Sequence, residues 1–364
     1  MKIGIVSASL RFSGGRLALL RHADELARRG HAVTVWTQDE ETAVDWMPLG
    51  VPVRHAADPR TLPAADVYLF DRIRLASPLL QAGVGRVAHF CQGFEGTDSE
   101  LRIRRAWSER GVFALPTVWR QRGRRKEIDR AYRLPTAKLV THRHLGELIA
   151  RRFGQPSHFV PYGLPSGVFT PPPVRLTAAR TVLVVGPTDV GWKRVTDALR
   201  AVQLLKRKVP VRLVRVAQHE QREVERALGV TDEYHTMLAP PQMAELYRAA
   251  DVLLCSSDAT EGFGLPVLEA MACGLPCVVT DIPAFRTFAR PDDYAHFVPV
   301  GDPSRMAAAL ENLLASPDEQ RRLRSRGLEV ASEHTVKRSH DAMEAAIEAI
   351  AGGSDAGRPP RIAA

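Results

Sequence analysis

Residues 261–274 read EGFGLPVLEAMACG and place two glutamates, Glu261 and Glu269, on either side of a glycine-rich entry to a helix. The preceding run, DVLLC, is apolar and of strand length. Pro266 suits the first turn of a helix, where its missing N–H group costs nothing, and Gly274 suits the helix end. The stretch therefore predicts a strand, a loop and a helix, the repeating pattern of a parallel α/β sheet.

The two carboxylates are predicted to border the same helix N-terminus. Helical side chains lean toward the N-terminus, so Glu269, about one turn inside the helix, can point back toward Glu261. Free N–H groups and the positive end of the helix dipole attract an anion such as phosphate there. An anion held between two acceptors of sugar hydroxyls describes a nucleotide sugar. A bare pair of glutamates at this spacing also arises by chance, so this interpretation depends on the surrounding residues.

Strand-like and helix-like segments alternate along most of the chain. Strands are predicted at KIGIVSAS, HAVTVWT, DVYLF, RVAHF and AKLVT, and later at TVLVVG, VRLVRVA, DVLLC, PCVVT and HFVPV. Helices are predicted between them, among others at 194–208, 220–228, 303–315 and 318–331. The predicted fold class is α/β, with two Rossmann-like doubly wound parallel-sheet domains facing a cleft, and ligands are expected at the carboxyl ends of the strands.

Proline and glycine mark the domain border. Residues 160–180, VPYGLPSGVFTPPPVRLTAAR, hold three consecutive prolines and cannot continue a helix or a central strand. The predicted domains are 1–168 and 169–335. A helix at 336–350 is expected to return to the first domain, and a disordered tail is expected at 351–364.

Composition limits the class of protein. The 364 residues suit two domains, and the four cysteines show neither CxxC pairing nor zinc-ligand spacing. A reduced, cytoplasmic protein without disulfides or structural zinc is therefore expected. The opening MKIGIVSASL reads as a buried strand rather than a signal peptide, and no apolar run approaches the roughly 18 residues of a membrane span. Any membrane contact is expected to be peripheral.

The net charge of +9 belongs to the first half of the chain. Residues 101–133 alone hold about 11 basic and about 3 acidic side chains, interleaved with Trp107, Phe113, Trp119 and Tyr132. Two interpretations stay open, a solvated arginine-rich face and a docking surface for an anionic membrane. Nucleic acid is the least favoured partner, since none of the usual nucleic-acid-binding signatures is present.

The longer string ATEGFGLPVLEAMACGLPCVVTD resembles the signature of retaining GT-B glycosyltransferases of the GT4 family, whose E-x7-E motif binds a nucleotide sugar in the C-terminal domain. The resemblance implies that Glu261 faces the donor sugar and that Glu269 holds the ribose hydroxyls. The backbone N–H groups that meet the sugar and the diphosphate are implied to be those of Gly262, Phe263, Gly264 and Leu265.

Other segments extend this resemblance over most of the chain. FSGGRLALLRHADELARRGHAVTVWT looks like the first βαβ unit of the family, and Gly14 and Gly15 match its Gly-Gly loop near the phosphates and the acceptor. YHTMLAPPQMAELYRAADVLLCSS resembles the stretch that packs on the nucleotide base, which implies donor contacts at Met237 and Leu238. The implied fold is GT-B, with the acceptor bound by the first domain and the nucleotide sugar by the second.

One departure from the family concerns the diphosphate. The family loop usually reads G-R…K-G, with the arginine and the lysine gripping the diphosphate, and here it reads GPTDVGWKR. Gly186 and Lys193 match the pattern, Pro187 stands in place of the arginine, and Arg194 is the candidate substitute. The leaving phosphate is therefore expected to be neutralised by Lys193, Arg194 and the helix N-terminus at Gly264.

A second departure lies in VAHFCQGFEG, where many family members place a histidine beside the donor sugar. Here His89 comes one or two positions early, and the segment looks more like the F-x-Q-(D)-Y-E segment of rhamnan-type GT4 enzymes. His89, Gln92 and Glu95 are candidates for contacting donor or acceptor. A buried, structural His89 is an equal alternative. The resemblance of the segment slightly favours a deoxysugar such as rhamnose as the transferred sugar.

The resemblance implies a retaining hexosyltransferase that needs neither a cofactor nor a metal, and the sequence holds no D-x-D pair for Mg²⁺. Its expected partners are a nucleotide-sugar donor and a saccharide or lipid-linked acceptor, in bacterial surface polysaccharide synthesis at the inner face of the cytoplasmic membrane. Two alternatives stay open. One is transfer to a small soluble acceptor, and the other is a sugar-nucleotide-binding protein without turnover, which the proline at 187 makes conceivable.

Overall fold

The structure, a computed structural model, describes residues 1–165, 167–172 and 180–353, apart from the side chains at positions 105, 108–110 and 112. Contacts divide the chain into two compact units, Met1–Tyr162 with the chain from Lys337 onward, and Gly163–Val336. The predicted border between residues 168 and 169 falls inside the second unit. The tail predicted at 351–364 lies outside the described residues from position 354 onward.

The first unit is built on a seven-stranded parallel sheet. Its strands are β1 (Lys2–Ser7), β2 (Ala32–Thr37), β3 (Val53–His55), β4 (Val67–Phe70), β5 (Arg86–Cys91), β6 (Ala137–Val140) and β7 (His158–Phe159). They lie in the order β3-β2-β1-β4-β5-β6-β7. The helices between them are α1 (Gly14–Arg28), α2 (Ala76–Ala82), α3 (Thr97–Arg110), α4 (Leu115–Tyr132) and α5 (Arg143–Phe153).

The second unit is built on a six-stranded parallel sheet. Its strands are β8 (Thr181–Val185), β9 (Arg212–Ala217), β10 (Glu233–Thr236), β11 (Val252–Cys255), β12 (Cys277–Thr280) and β13 (His296–Val298), in the order β10-β9-β8-β11-β12-β13. Its helices are α6 (Val195–Lys206), α7 (Glu223–Leu228), α8 (Pro240–Ala249), α9 (Leu265–Ala272), α10 (Pro303–Ala315) and α11 (Pro317–Ser332). The last helix of the described chain, α12 (Val336–Ala351), belongs to the first unit from Lys337 onward.

Two parallel sheets of alternating strands and helices confirm the predicted α/β class. The differences from the predicted elements are local. Three strands, β3, β7 and β10, were not predicted, because they have only two to four residues and too few apolar side chains to show a period. The helix predicted at 220–228 begins at Glu223, and the helix predicted from 194 begins at Val195 because Arg194 has a left-handed backbone with φ of 47°.

The hydrophobic core of the first unit draws on both ends of the chain. Ile5 of β1 and Leu69 of β4 are wholly buried in one cluster with Leu19 of α1, and α12 adds Met343 and Ile347 to the same cluster. Burying a leucine or isoleucine side chain contributes about 1.5–3 kcal/mol, so these contacts tie the C-terminal helix to the N-terminal sheet.

Polar contacts reinforce the packing of α12 on α1. Arg29, just after α1, donates hydrogen bonds to Glu25 at 2.8 Å, to Asp341 at 2.8 Å and to Glu344 at 2.5 Å. His22 lies beneath these charges, 3% exposed, with its ring centroid 5.0 Å from that of His340. The imidazole therefore sits where a second positive charge is strongly disfavoured.

Acidification is expected to destabilise the protein through His22. Burial, and secondarily the neighbouring His340 and Arg29, lower the pKa of His22 to about 3. Because an ordinary histidine has a pKa of about 6.5, the unfolded chain gains a proton below pH 6.5 that the folded chain does not take up. The contribution of His22 to the free energy of unfolding should fall by about 2 kcal/mol between pH 7 and pH 5, as measured by urea denaturation.

The substitution His22→Gln removes this titrating group while keeping a polar side chain. The acid-induced loss of stability should then shrink, whereas His55→Gln, at an exposed position, should leave it unchanged. Equal losses in the wild type and in His22→Gln would contradict the assignment.

Candidate active site

The residues that the sequence predicts for donor binding lie at the carboxyl edge of the second sheet. β8 ends just before Gly186, β10 ends just before Met237, and β11 leads into the loop that carries Glu261. Gly186 and Met237 both have positive φ, 124° and 50°, so the chain turns sharply as it leaves these strands. Open α/β sheets bind their ligands at this edge. One unit thus brings most of the predicted donor residues to one place.

Glu261 is held by a cation and a hydroxyl group. Its Oε2 accepts hydrogen bonds from Lys193 Nζ at 2.5 Å and from Ser257 Oγ at 2.8 Å. The Glu261 side chain is 9% exposed and that of Lys193 is 19% exposed. A pair so far removed from water interacts much more strongly than a surface pair, and its carboxylate has a fixed direction.

Lys193 is influenced by both glutamates of the motif. Burial acts to lower the pKa of Lys193, but the negative charges of Glu261 and, more weakly, of Glu269 outweigh it, so the pKa is raised. The ammonium group therefore stays charged at neutral pH. The structure brings Lys193, Glu261 and Glu269 within electrostatic reach of one another.

The loop that carries Lys193 is fastened to the end of β11. The backbone N–H of Asp258 donates to the carbonyl of Trp192 at 2.7 Å. Ser256 Oγ lies 3.0 Å from the carbonyl oxygen of Lys193 and 2.9 Å from that of Arg194, and donates to them. These bonds fix the position of the lysine relative to the strand that leads to Glu261.

Glu269 lies in the second turn of α9 and has a buried partner. Its Oε2 accepts a hydrogen bond from the hydroxyl of Tyr247 at 2.8 Å, and the Tyr247 side chain of α8 is wholly buried. Burial first, and the charge of Glu269 second, raise the pKa of Tyr247 well above its ordinary value, so the phenol stays a donor. The hydroxyl thereby orients the Glu269 carboxylate.

Gly264 makes the turn into α9. It has φ of 87° and directly precedes the first helical residue, Leu265. A Cβ atom at this position would come 2.2 Å from the ring of the buried Phe285, so the turn requires glycine on two grounds. Phe263 anchors the same turn by packing edge-to-face on Phe288, with ring centroids 5.1 Å apart. The first turn of α9 is thus held rigidly beside Gly262.

Arg194, the candidate substitute for the absent arginine, has an acidic partner of its own. Its Nε and a terminal nitrogen lie 2.7 Å and 2.6 Å from Asp197 Oδ2, and its side chain is 36% exposed. An arginine whose only task was to bind phosphate would not need this acidic partner. Replacement of the missing arginine by Arg194 stays a prediction.

In the first unit, the structure brings Gly15 and Gln92 together. Gln92, just after β5, donates from Nε2 to the carbonyl of Gly15 at 2.9 Å, and a Cβ on Gly15 would lie 1.7 Å from Gln92 Oε1. Gly14 begins α1 directly after the N-cap residue Ser13. These residues border the carboxyl edge of the first sheet. Ser7 and Asp71, joined at the same edge by a hydrogen bond of 2.8 Å, were not predicted from the sequence.

His89 is a core residue in this structure. Its side chain is 1% exposed and stacks on Phe70 with ring centroids 4.8 Å apart. Its Nδ1 lies 3.0 Å from Cys91 Sγ and its Nε2 lies 3.5 Å from Glu95 Oε1. Burial lowers its pKa despite the nearby Glu95 carboxylate, so the ring is neutral at pH 7. The structural alternative fits this placement, and a contact of His89 with substrate stays a prediction.

Sequence reasoning missed the residues that orient the two glutamates. Ser257 stands four residues before Glu261 in a loop of small polar residues, where the sequence gives no reason to single it out. Tyr247 falls on the apolar face of α8 and reads as an ordinary core residue. Among the described residues, no group of three or more His, Cys, Asp or Glu side chains is arranged as metal ligands would be.

The first unit also displays a surface of aromatic and basic side chains. Four large apolar side chains are exposed on α3, α4 and the turn between them: Trp107 (40%), Phe113 (85%), Leu115 (51%) and Trp119 (78%). Exposed basic residues on the same helices include Arg104, Arg120, Arg122, Arg124 and Lys126. We call these nine residues the basic-aromatic surface. Across the chain as described, no helix is sufficiently long and apolar to cross a bilayer.

Known proteins match part of this chain in sequence. Residues 179–316 match the family described as Glycosyl transferases group 1. The MMP alpha-(1->4)-mannosyltransferase of Mycolicibacterium hassiacum is 34% identical over 190 residues, which cover 49% of this chain and 46% of that protein. The phosphatidyl-myo-inositol mannosyltransferase of Mycobacterium leprae is 33% identical over 141 residues, 37% of each chain. The matches therefore span less than half the length of these two curated relatives.

Solved structures resemble the chain over nearly its whole length. Anabaena HepE, solved in complex with UDP-glucose, aligns with a TM-score of 0.74 at 14% identity and covers 95% of this chain and 99% of its own. At 14% sequence identity, the structural similarity shows the fold alone. The predicted GT-B fold and the predicted resemblance to glycosyltransferases are confirmed.

Proposed function

We propose that this chain, a GT-B protein whose residues 179–316 match the family Glycosyl transferases group 1, is a retaining and metal-independent glycosyltransferase. It transfers a hexose or deoxyhexose from a nucleotide-diphosphate sugar to a saccharide or lipid-linked acceptor. The observation that supports this best is the buried ion pair of Lys193 and Glu261 beside the N-terminus of α9. A buried ammonium and a helix N-terminus together suit a diphosphate.

The donor is proposed to bind along the carboxyl edge of the second sheet. Lys193 and the first N–H groups of α9 face the diphosphate, and the tight turn at Gly264 lets it approach the backbone. Glu261 accepts a hydrogen bond from a hydroxyl of the sugar, and Glu269 accepts from the ribose diol. Met237 and the adjoining Leu238 pack on the base.

The proposed reaction exchanges one bond to the anomeric carbon for another on the same face of the sugar. The bond from the anomeric carbon to the phosphate oxygen breaks as the acceptor oxygen attacks, and the departing phosphate oxygen takes the acceptor proton. Negative charge grows on the diphosphate during this step, and the fixed charge of Lys193 stabilises it without reorganisation. Because the ammonium already lies in place, no metal ion is required for this task.

The acceptor is proposed to bind the first unit near Gly14, Gly15 and Gln92, as the sequence resemblance implies. Both curated relatives described above are named mannosyltransferases, which favours mannose as the first sugar to test. A role in bacterial surface polysaccharide synthesis fits an acceptor of saccharide or lipid-linked type. Transfer to a small soluble acceptor is the second candidate.

The test is turnover of a panel of donors. The protein is incubated with UDP-glucose, GDP-mannose and dTDP-rhamnose in the presence of EDTA, and release of nucleoside diphosphate is followed by chromatography. We expect slow hydrolysis of one donor, faster release with a suitable acceptor, and a product with the anomeric configuration of the donor by NMR. Binding of a nucleotide without any release would favour the sugar-nucleotide-binding alternative, and a requirement for Mg²⁺ would contradict metal independence.

The basic-aromatic surface is proposed to dock on the anionic inner face of the cytoplasmic membrane. Aromatic side chains exposed beside several arginines suit the headgroup region, where each basic residue adds about 1 kcal/mol. The protein should therefore bind vesicles containing phosphatidylglycerol, and binding should fall steeply with salt. Changing Arg120, Arg122 and Arg124 to glutamine should weaken vesicle binding by roughly 100-fold, measured by co-sedimentation.

A matched control neutralises three exposed basic residues elsewhere, Arg200, Arg207 and Lys208, by the same substitution to glutamine. This control should leave vesicle binding nearly unchanged, although it alters the net charge equally. Equal weakening by both triple variants would show only a general charge effect, and absence of binding to anionic vesicles would contradict the docking proposal and favour the soluble acceptor.

A further inference from the structure

Arg215 and Glu225 form a charged pair sealed inside the second unit. Arg215 lies in the middle of β9 and Glu225 lies in α7, and the exposed fraction of both side chains is 0%. A terminal nitrogen of Arg215 lies 3.0 Å from Glu225 Oε1, and Arg215 Nε donates to Oε2 at 3.3 Å. Strands of a parallel sheet covered on both faces are normally apolar, so an arginine at this point is exceptional.

The rest of the guanidinium is occupied by backbone carbonyls of β8 and the loop that follows it. One terminal nitrogen donates to the carbonyl of Val184 at 2.6 Å, and the other donates to that of Gly186 at 2.9 Å. Gly186 is also the donor to the carbonyl of Val216 at 2.9 Å. Gly186 is therefore held to β9 through both its N–H and its C=O group.

Gly186 is in turn a neighbour of Lys193. A Cβ atom built on Gly186 would lie 3.6 Å from Lys193 Cδ, so the lysine stem runs directly beside this glycine. The peptide that Arg215 holds thus forms part of the support of the Lys193 side chain. The path from Arg215 to Lys193 thus consists of a hydrogen bond to the Gly186 carbonyl and the close approach of the lysine stem to this glycine.

Stability alone is a poor reason for this pair. Removing two charges from water carries a large desolvation cost for each ion, and well-packed apolar residues of similar size are often equally stable in the same place. What apolar residues cannot do is donate hydrogen bonds to the carbonyls of Val184 and Gly186. The distinctive contribution of Arg215 is therefore the direction of the Gly186 peptide.

We propose that Arg215, oriented by Glu225, is a positioning residue that fixes the Gly186 peptide and thereby places Lys193 for the donor diphosphate. The inference rests on the proposed function for the identity of the ligand. Arg215 acts on the backbone of this loop from the neighbouring strand, without touching the ligand.

The experiment separates positioning from stability with a double variant, Arg215→Met/Glu225→Met. The single change Arg215→Met leaves the Glu225 carboxylate buried and unpaired and should lower the melting temperature markedly, and the double change should restore most of it. Hydrogen exchange by mass spectrometry then reports on the loop 186–194. We expect exchange in that loop to be about tenfold faster in the double variant, with β8 and α6 unchanged.

The ligand readout is the affinity for nucleoside diphosphates, measured with UDP and GDP. The double variant should bind the preferred nucleotide about tenfold more weakly than the wild type, the effect expected when one charge-assisted hydrogen bond is lost. A matched control, Arg212→Met/Glu233→Met, removes an ion pair from the exposed end of the same strand, and should change neither exchange nor affinity.

Wild-type exchange in the loop of the double variant would overturn the proposal, whatever the nucleotide result. Failure of the wild type to bind either nucleotide would count against the proposed function, while the exchange measurement still decides whether Arg215 holds the loop. If the double variant does not recover its stability, hydrogen exchange in the loop is measured on Arg215→Lys instead. Its single nitrogen cannot reach the carboxylate and both carbonyls, so faster loop exchange supports positioning and unchanged exchange overturns it.

Discussion

Replacing Lys193 by alanine is expected to lower kcat for sugar transfer by about 100- to 1,000-fold, the loss typical of removing one preorganised charge at a developing anion. The substitution removes the ammonium proposed to neutralise the leaving diphosphate and leaves the Glu261 carboxylate largely buried beside Ser257 alone. Nucleotide affinity should fall as well, because the ground-state diphosphate is already charged. Steady-state kinetics with the donor that the panel selects measures both kcat and the affinity.

Lys208→Ala is the matched control for this prediction. Lys208 also pairs with a glutamate in the second unit, Glu311 at 2.7 Å, but its side chain is 58% exposed. Exposed pairs contribute little, so this variant should keep wild-type kcat and stability. If Lys193→Ala retained more than a tenth of the wild-type kcat, the ammonium would not be the group that neutralises the leaving phosphate.

Replacing Gly264 by alanine is expected to destabilise the second unit and to abolish nucleotide binding. The positive φ of 87° costs an alanine about 1 kcal/mol or more, and the added methyl group would overlap the buried ring of Phe285. Overpacking of this kind adds about 1–3 kcal/mol. The melting temperature should fall by roughly 5 to 15 °C, as measured by differential scanning calorimetry.

Gly229→Ala separates the two causes. Gly229 ends α7 with φ of 62°, and a Cβ there would meet nothing within 4 Å. It therefore carries the backbone cost without the collision, and its melting temperature should fall by only about 2 to 4 °C. Equal effects at the two glycines would mean that the ring of Phe285 moves aside and that the turn into α9 is less rigid than its contacts imply.

The pattern of apolar residues made it possible to predict the fold from the sequence. Buried parallel strands such as VLLC and CVVT are continuous apolar runs, and the helices between them are amphipathic, so both the class and the element order could be predicted. The short edge strands could not be predicted from the sequence. Glu233–Thr236 is EYHT, half-exposed and polar, and only its hydrogen bonds to the neighbouring strand define it.

The candidate site was predictable where the motif is local in sequence. Glu261, Gly264 and Glu269 lie within one loop and one helix, so their mutual placement follows from helix geometry. The partners of these residues lie far away along the chain: Lys193 comes from the loop after β8 and Tyr247 comes from α8. Lys193 was predicted only because a family pattern named it, and Tyr247 has no such pattern.

Burial settles the placement of single polar residues for which the sequence leaves alternatives open. His89 and Arg215 are both polar residues inside apolar strand runs, and the sequence cannot show whether such a side chain faces a ligand or the core. The structure places both in the interior, His89 stacked on Phe70 and Arg215 paired with Glu225. Long-range packing, which no local period encodes, decides their direction.

Binding of a nucleoside diphosphate at the carboxyl edge of the second sheet, without metal, can be measured with a thermal-shift panel. UDP, GDP, dTDP and ADP are added with EDTA to the wild type, to Glu269→Ala and to Glu245→Ala, a control at an exposed position on α8. One nucleotide at about 100 times its Kd should add roughly 2.7 kcal/mol, a shift of several degrees. We expect this shift in the wild type and in Glu245→Ala and its loss in Glu269→Ala. No shift with any nucleotide, or a full shift in Glu269→Ala, would contradict this expectation.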